Sequence, residues 1–151
     1  MDGGALIQLK DLGLAAAVSL AAVGSALGTG VAGMASVGAW KKCYAQSKTA
    51  PFLLLVFVGA PLTQTIYGMI LMNAITGAVA KGSYLWGMGV LGGLAMGASA
   101  MMQGRAGAGA ADALAETGKG FANYLIVLGI IETVALFVLV FLLGQVSALS
   151  G

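Results

Sequence analysis

Four long apolar stretches, near residues 12–39, 50–79, 84–115 and 121–146, alternate with short polar ones along the chain. Each is long enough to cross a bilayer as a helix, which takes roughly 20 apolar residues. The stretches are of two kinds. The first and third are built from Ala, Gly, Ser and Val, with Gly24, Gly28, Gly30, Gly33 and Gly38 in one and Gly87, Gly89, Gly92, Gly93, Gly97, Gly104, Gly107 and Gly109 in the other. In water so many glycines would oppose a helix, at about 1 kcal/mol each relative to Ala. In lipid the backbone has no other hydrogen-bond partner, so the helix survives and its small side chains let another helix come close. The second and fourth stretches are bulky, as in Phe52-Leu53-Leu54-Leu55-Val56-Phe57-Val58 and Phe137-Val138-Leu139-Val140-Phe141-Leu142-Leu143. Pro51 suits the first turn of the second helix, and Pro61 inside it frees backbone carbonyls near residues 57–60. A turn is expected around Lys81-Gly82-Ser83 and another at Glu116-Thr117-Gly118-Lys119-Gly120.

The order is small-residue helix, polar loop, bulky helix with a central polar site, and then the same again. Residues 59–65 align with 127–133, which sets Gln64 opposite Glu132; residues 25–33 align with 99–107. The expected architecture is an all-α membrane protein of four transmembrane helices, made of two fused antiparallel hairpins, residues 1–80 and 81–151, related as a parallel repeat. Internal symmetry of this kind marks many membrane transport folds. Lys41, Lys42 and Lys48 in one polar loop, with Lys119 and Arg105 in or near the other, put loops 41–49 and 112–120 in the cytoplasm and the termini on the opposite side.

Composition narrows the function. Of 151 residues 60% are hydrophobic and 8% charged, against about 25% charged in a soluble domain. Mean hydropathy is +1.00. A net charge of +2 with no Lys/Arg-rich block gives no basis for nucleic-acid binding. Histidine is absent and Cys43 is the single cysteine, so neither a disulfide within the chain nor a Cys/His metal cluster can form. Met1-Asp2-Gly3-Gly4 lacks the positive start of a secretory signal, so the first apolar stretch is expected to be kept as a span. There is no Gly-x-x-x-x-Gly-Lys-Ser/Thr phosphate loop and no nucleophile–base pair, so an enzyme is not expected.

The informative residue is Glu132, in the middle of the most apolar stretch. An acid at a helix centre costs about 2.5–3.5 kcal/mol even on the lenient insertion scale, and it should face protein or a water-filled path. Glu132 follows Gly120 by about 12 residues, or about 18 Å of helix, and Gln64 follows Pro51 by about 13, nearly the same depth. Gln103 on the antiparallel third helix can reach that level. Thr63, Gln64, Gln103 and Glu132 therefore converge, and Pro61 leaves the Ala60 carbonyl available beside them. Several hard oxygens with one negative charge suit a monovalent cation such as Na⁺. A proton would need only the carboxylate and one partner. Other readings stay open: Gln64 and Gln103 as glue between helices, Thr63 bonding back to its own helix, and Tyr67 as either an ordinary packed tyrosine or a donor to Glu132. Arg105 reads as a charge at headgroup level.

These motifs resemble one known family, the four-helix K-type or c-type proteolipid that forms the membrane rotor of V-type ATPases. The resemblance spans nearly the whole chain. It is carried by Gly24-Ser25-Ala26-Leu27-Gly28-Thr29-Gly30, Pro61-Leu62-Thr63-Gln64-Thr65-Ile66-Tyr67-Gly68, Gln103-Gly104-Arg105 and Glu132-Thr133. It implies that Na⁺ is held by Thr63, Gln64, the carbonyl of Ala60, Gln103 and Glu132, with Tyr67 bonded to the Glu132 carboxylate; Leu62 stands where the family usually has glycine. It also implies a ring of identical subunits in lipid, with helices 1 and 3 crowded inside and 2 and 4 outside. A stator membrane subunit with a fixed arginine would release the ion, and central-stalk subunits would meet the cytoplasmic loops. Each subunit would carry one ion while ATP is hydrolysed elsewhere in the complex. The alternatives are the same rotor carrying H⁺ and, in another class, a structural or pore-forming four-helix membrane protein.

Overall fold

The computed structural model describes residues 3–81 and 85–150. The N-terminal Met1-Asp2, the Gly82-Ser83 part of the expected turn and the expected junction between hairpins fall at least partly outside the described residues. Among the described residues all regular structure is helical: α1 (Gly3–Ala45), α2 (Leu54–Gly59), a 3-10 turn (Ala60–Leu62), α3 (Thr63–Ala80), α4 (Trp86–Thr117) and α5 (Phe121–Ser150). The segment α2 to α3 is one rod tightened in its middle by Pro61, so the described residues form four long rods.

The ends differ from the expected ones for local reasons. Helix α1 runs on through Trp40-Lys41-Lys42-Cys43, six residues past its apolar stretch. Cys43 is buried there, and Lys42 reaches Glu116 at 3.2 Å. The helix then closes with Lys48 N–H on the Cys43 carbonyl (2.9 Å) and Ser47 N–H on the Tyr44 carbonyl (3.1 Å), with Ser47 left-handed at φ 54°. This 6→1 and 5→2 pair is the Schellman closure, which needs one residue of positive φ. Pro51 does not sit inside the next helix. It opens a tighter lead-in, in which the N–H groups of Leu54, Leu55 and Val56 bond the carbonyls three residues back, and its own carbonyl accepts Trp40 Nε1–H at 2.7 Å. Gly118, at φ 68°, ends α4 by donating to the Leu114 carbonyl.

The two glycine-rich helices lie side by side and run the same way. Gly13 of α1 meets Gly89 of α4, Ala16 meets Gly93, Leu20 meets Gly97 and Gly28 meets Gly104. At Gly28 and Gly104 the two backbones touch, and a Cβ on Gly104 would collide with the Gly28 main chain. The bulky rods pack outside this pair, each antiparallel to one of its members. Gly68 of α3 sits on Ala17 and Ala21 of α1, while Ser99 and Gly92 of α4 meet Ile131 and Leu142 of α5. The chain is thus all-α, with two antiparallel hairpins whose inner helices are parallel.

Among the described residues α1, α2–α3 and α5 are long and apolar enough to cross a membrane. Helix α4 has the length, 32 residues, but Gly, Ala, Gln103, Arg105 and Asp112 dilute its apolar character. It lies in close contact with α1, from Gly13–Gly89 to Gly28–Gly104.

Two apolar clusters fill the space between the rods. One holds Ala17, Ala21, Leu71, Ile75, Met96, Ala135 and Leu139; the other holds Leu54, Phe57, Ala111, Leu114 and Leu128, with Phe121 and Tyr124 against Phe57. Between them lies a polar layer.

Candidate functional site

The polar layer is made by three rods, α2–α3, α4 and α5. Gln64 comes from the first turn of α3, just past the tightened turn. Pro61 lacks an N–H, so the Phe57 carbonyl has no donor at the usual place four residues on. Gly107 of α4 lies against that carbonyl; a Cβ there would stand 2.9 Å from the oxygen. The Ala60 carbonyl is engaged by its own chain, through Thr63 N–H and through Thr63 Oγ1 at 3.0 Å.

From there a hydrogen-bond chain leads to the acid. Thr63 Oγ1 lies 3.1 Å from Gln64 Oε1, so its one proton serves either that oxygen or the Ala60 carbonyl. Gln64 Nε2 donates to Gln103 Oε1 at 2.9 Å. Gln103 Nε2 donates to Glu132 Oε2 at 3.2 Å and to the Leu128 carbonyl at 3.1 Å. Tyr67 Oη donates to the other carboxylate oxygen, Glu132 Oε1, at 2.7 Å. Both glutamines are fully buried, while Thr63, Tyr67 and Glu132 are half-buried. The structure therefore brings together all six residues the sequence singled out: Ala60, Thr63, Gln64, Tyr67, Gln103 and Glu132. Thr63 bonds its own helix, one of its two sequence readings, and borders the site as well. Arg105 stays apart, exposed, with Nη1 3.6 Å from Met102 Sδ.

Each oxygen of the Glu132 carboxylate has one hydrogen-bond partner, Tyr67 on one side and Gln103 on the other. No cationic side chain answers it among the described residues, whose one ion pair is Lys42–Glu116, and none of their His, Cys, Asp and Glu side chains gather in groups of three or more. The site offers one negative charge and a set of neutral oxygens. Such a set can compensate one positive charge, and it is too poor in charge for a tightly held divalent ion.

Sequence reasoning missed Ser99. Its Oγ donates to the Ile131 carbonyl of α5 at 2.9 Å, one residue before Glu132. The available signal was its position one turn before Gln103, on the same face of a helix otherwise made of small apolar residues. On α1, Ser25 Oγ and Thr29 Oγ1 are buried without a hydrogen-bond partner.

Residues 86–143 match the family model that describes the C subunit of ATP synthase. No curated protein matches the chain. The matched segment is α4 and most of α5, the two helices that bear Ser99, Gln103 and Glu132, so the similarity to that subunit lies in the second hairpin.

Proposed function

We propose that this chain is a rotor-ring subunit of a V-type ATPase that carries Na⁺ across the membrane, one ion per subunit, on Glu132. The observation that carries the reading is the buried amide pair Gln64–Gln103 ending on a carboxylate that has no cationic partner among the described residues. A lone carboxylate in a low-dielectric layer needs a compensating charge. Na⁺ would take the Glu132 carboxylate, Gln64 Oε1, Gln103 Oε1, Thr63 Oγ1 and the Ala60 carbonyl as its oxygens, with Tyr67 holding the carboxylate from the other side. The family match at α4 and α5 agrees with a carrier of this kind.

In this reading the ion-loaded site is neutral and passes through lipid as the ring of identical subunits turns. A fixed cation on a stator subunit then competes for Glu132 and releases the ion. The chain itself hydrolyses nothing; a separate soluble sector turns the ring through central-stalk subunits. The polar ends 41–49 and 112–120 lie together, joined by Lys42–Glu116 and by Cys43 Sγ near the Ala115 carbonyl at 3.8 Å. Their lysines favour the cytoplasmic side for that end. One acid for two hairpins supports the V-type assignment, because fewer ions per turn leave more energy for each and favour pumping.

The test is carbodiimide modification of Glu132, which takes neutral carboxyls, in the purified membrane-embedded protein. Na⁺ should protect at constant pH and ionic strength, and choline should not. Labelling that follows pH alone and ignores Na⁺ would replace the cargo by H⁺. Transport that survives Glu132→Gln would leave only a structural or pore-forming protein.

A further inference from the structure

We infer that Ser99 is a positioning residue for Glu132, fixing the register and rotation of α5 so that the carboxylate meets Tyr67 and Gln103 together. The inference rests on the ion-carrier reading for its purpose and on the α4–α5 contact for its substance.

Helix α5 is the most exposed rod. Ile126, Ile130, Val134, Phe137, Val140 and Phe141 are all exposed. Inward it offers Leu128, Ala135, Leu139 and Val146. Apolar contacts of this sort have no direction, so they hold a helix close without fixing how far it slides or turns. Two directional contacts do fix it. Ser99 and Gln103, one turn apart on α4, donate to the carbonyls of Ile131 and Leu128 on α5. Those carbonyls flank Glu132 on its N-terminal side. Gln103 also spends its amide on the carboxylate, so a contact that does not involve the acid must hold the backbone: Ser99 supplies it.

The rotamer of Ser99 sets it apart from ordinary helical hydroxyls. Ser19, Ser36, Thr76 and Thr117 each donate to the carbonyl four residues back on their own helix. Ser99 instead crosses to its neighbour, and it is buried at 7% exposure. Beside it lies an open groove of about 400 Å³ lined by Ala95, Ala98, Met102, Ile131 and Val134, which leaves room for one more methyl group. Removing the hydroxyl leaves no orphan, because the Ile131 carbonyl keeps its own helical donor. Loss of Ser99 should therefore loosen the placement of Glu132 more than it weakens the fold.

The experiment compares wild type, Ser99→Ala, Ser99→Thr and Ser99→Cys as assembled protein in detergent. Three quantities are read: the carbodiimide labelling rate of Glu132 without Na⁺, the Na⁺ concentration giving half-protection, and the Tm. Ser99→Ala should label faster and need roughly five- to tenfold more Na⁺, as expected for one lost buried hydrogen bond, with Tm nearly unchanged. Ser99→Thr, which keeps the hydroxyl and fits the groove, should restore both values. If Ser99→Ala does not assemble, Ser99→Cys keeps the volume with a weak donor and should show the same shifts. Labelling and protection unchanged in Ser99→Ala, or in Ser99→Cys where it stands in, overturn the inference, as do equal shifts in Ser99→Thr. Absence of Na⁺ protection in wild type would strike the sodium reading instead; the labelling rate then still decides on Ser99.

Discussion

The two hairpins share one plan and differ in what their inner helix does with its polar side chains. In α4–α5, Ser99 and Gln103 cross to the outer helix, and Gln103 also reaches the Glu132 carboxylate. In α1–α3 the aligned positions hold Ser25 and Thr29, whose hydroxyls are buried and bond nothing, and the outer helix holds Gln64 in place of an acid. Gln64 turns instead to the other half, through Gln103. One hairpin thus owns the charge and the other lends it neutral dipoles. A second acid in the same low-dielectric layer would set two like charges near one another, each with its own desolvation cost. An amide at Gln64 gives the site hydrogen-bonding capacity without that cost.

The most severe way to break this comparison is to remove the charge. Glu132→Gln should abolish ion-coupled transport in reconstituted vesicles while the assembled protein still migrates at its normal size; the one position cannot be replaced by the amide that suffices at Gln64. Next comes the shared scaffold. Gly104→Ala pushes a Cβ into the Gly28 backbone, and such overpacking typically costs roughly 1–3 kcal/mol or more. It should lower Tm and yield sharply, whereas Gly144→Ala, which meets nothing within 4 Å in the chain, should not.

Tyr67→Phe tests what the first hairpin lends. It deletes the 2.7 Å bond to Glu132 and keeps the ring. A hydrogen bond to a charged group is worth about 1.5–3 kcal/mol, so half-protection by Na⁺ should need roughly tenfold more ion or beyond. The smallest effect belongs to Ser25→Ala. It removes a buried hydroxyl that has no partner, and such a group costs about 1–3 kcal/mol to bury. Tm should hold or rise slightly, and Na⁺ protection should not move; a clear loss of either would give the first hairpin a polar role of its own.

Much of the fold lay open in the chain's pattern. Alternating small and bulky apolar stretches gave four helical rods, and the repeat gave their pairing, because in lipid an unbonded backbone has no other refuge than a helix. Their ends were less legible. Trp40-Lys41-Lys42 looks like loop by polarity, yet the helix continues because Cys43 is buried and Lys42 finds Glu116. Pro51 looked like a helix start, and the structure spends it on a tighter lead-in capped by Trp40. Glu132, Gln64 and Gln103 stood out as polar residues at one depth; this follows from helix rise alone.

Residue spacing by itself determined that one acid lies mid-membrane and that amides from two other helices share its level. Only the tertiary structure decided who bonds whom: that Tyr67 takes one carboxylate oxygen and Gln103 the other, that Thr63 also serves its own helix, and that Ser99 crosses to α5 while Ser25 does not. Depth is one coordinate, fixed by about 1.5 Å per residue. Partnership also needs the rotation of each helix about its axis, and that is set between helices, by the close packing of α1 against α4 and by the Ser99 and Gln103 bonds to α5, which no single helix encodes.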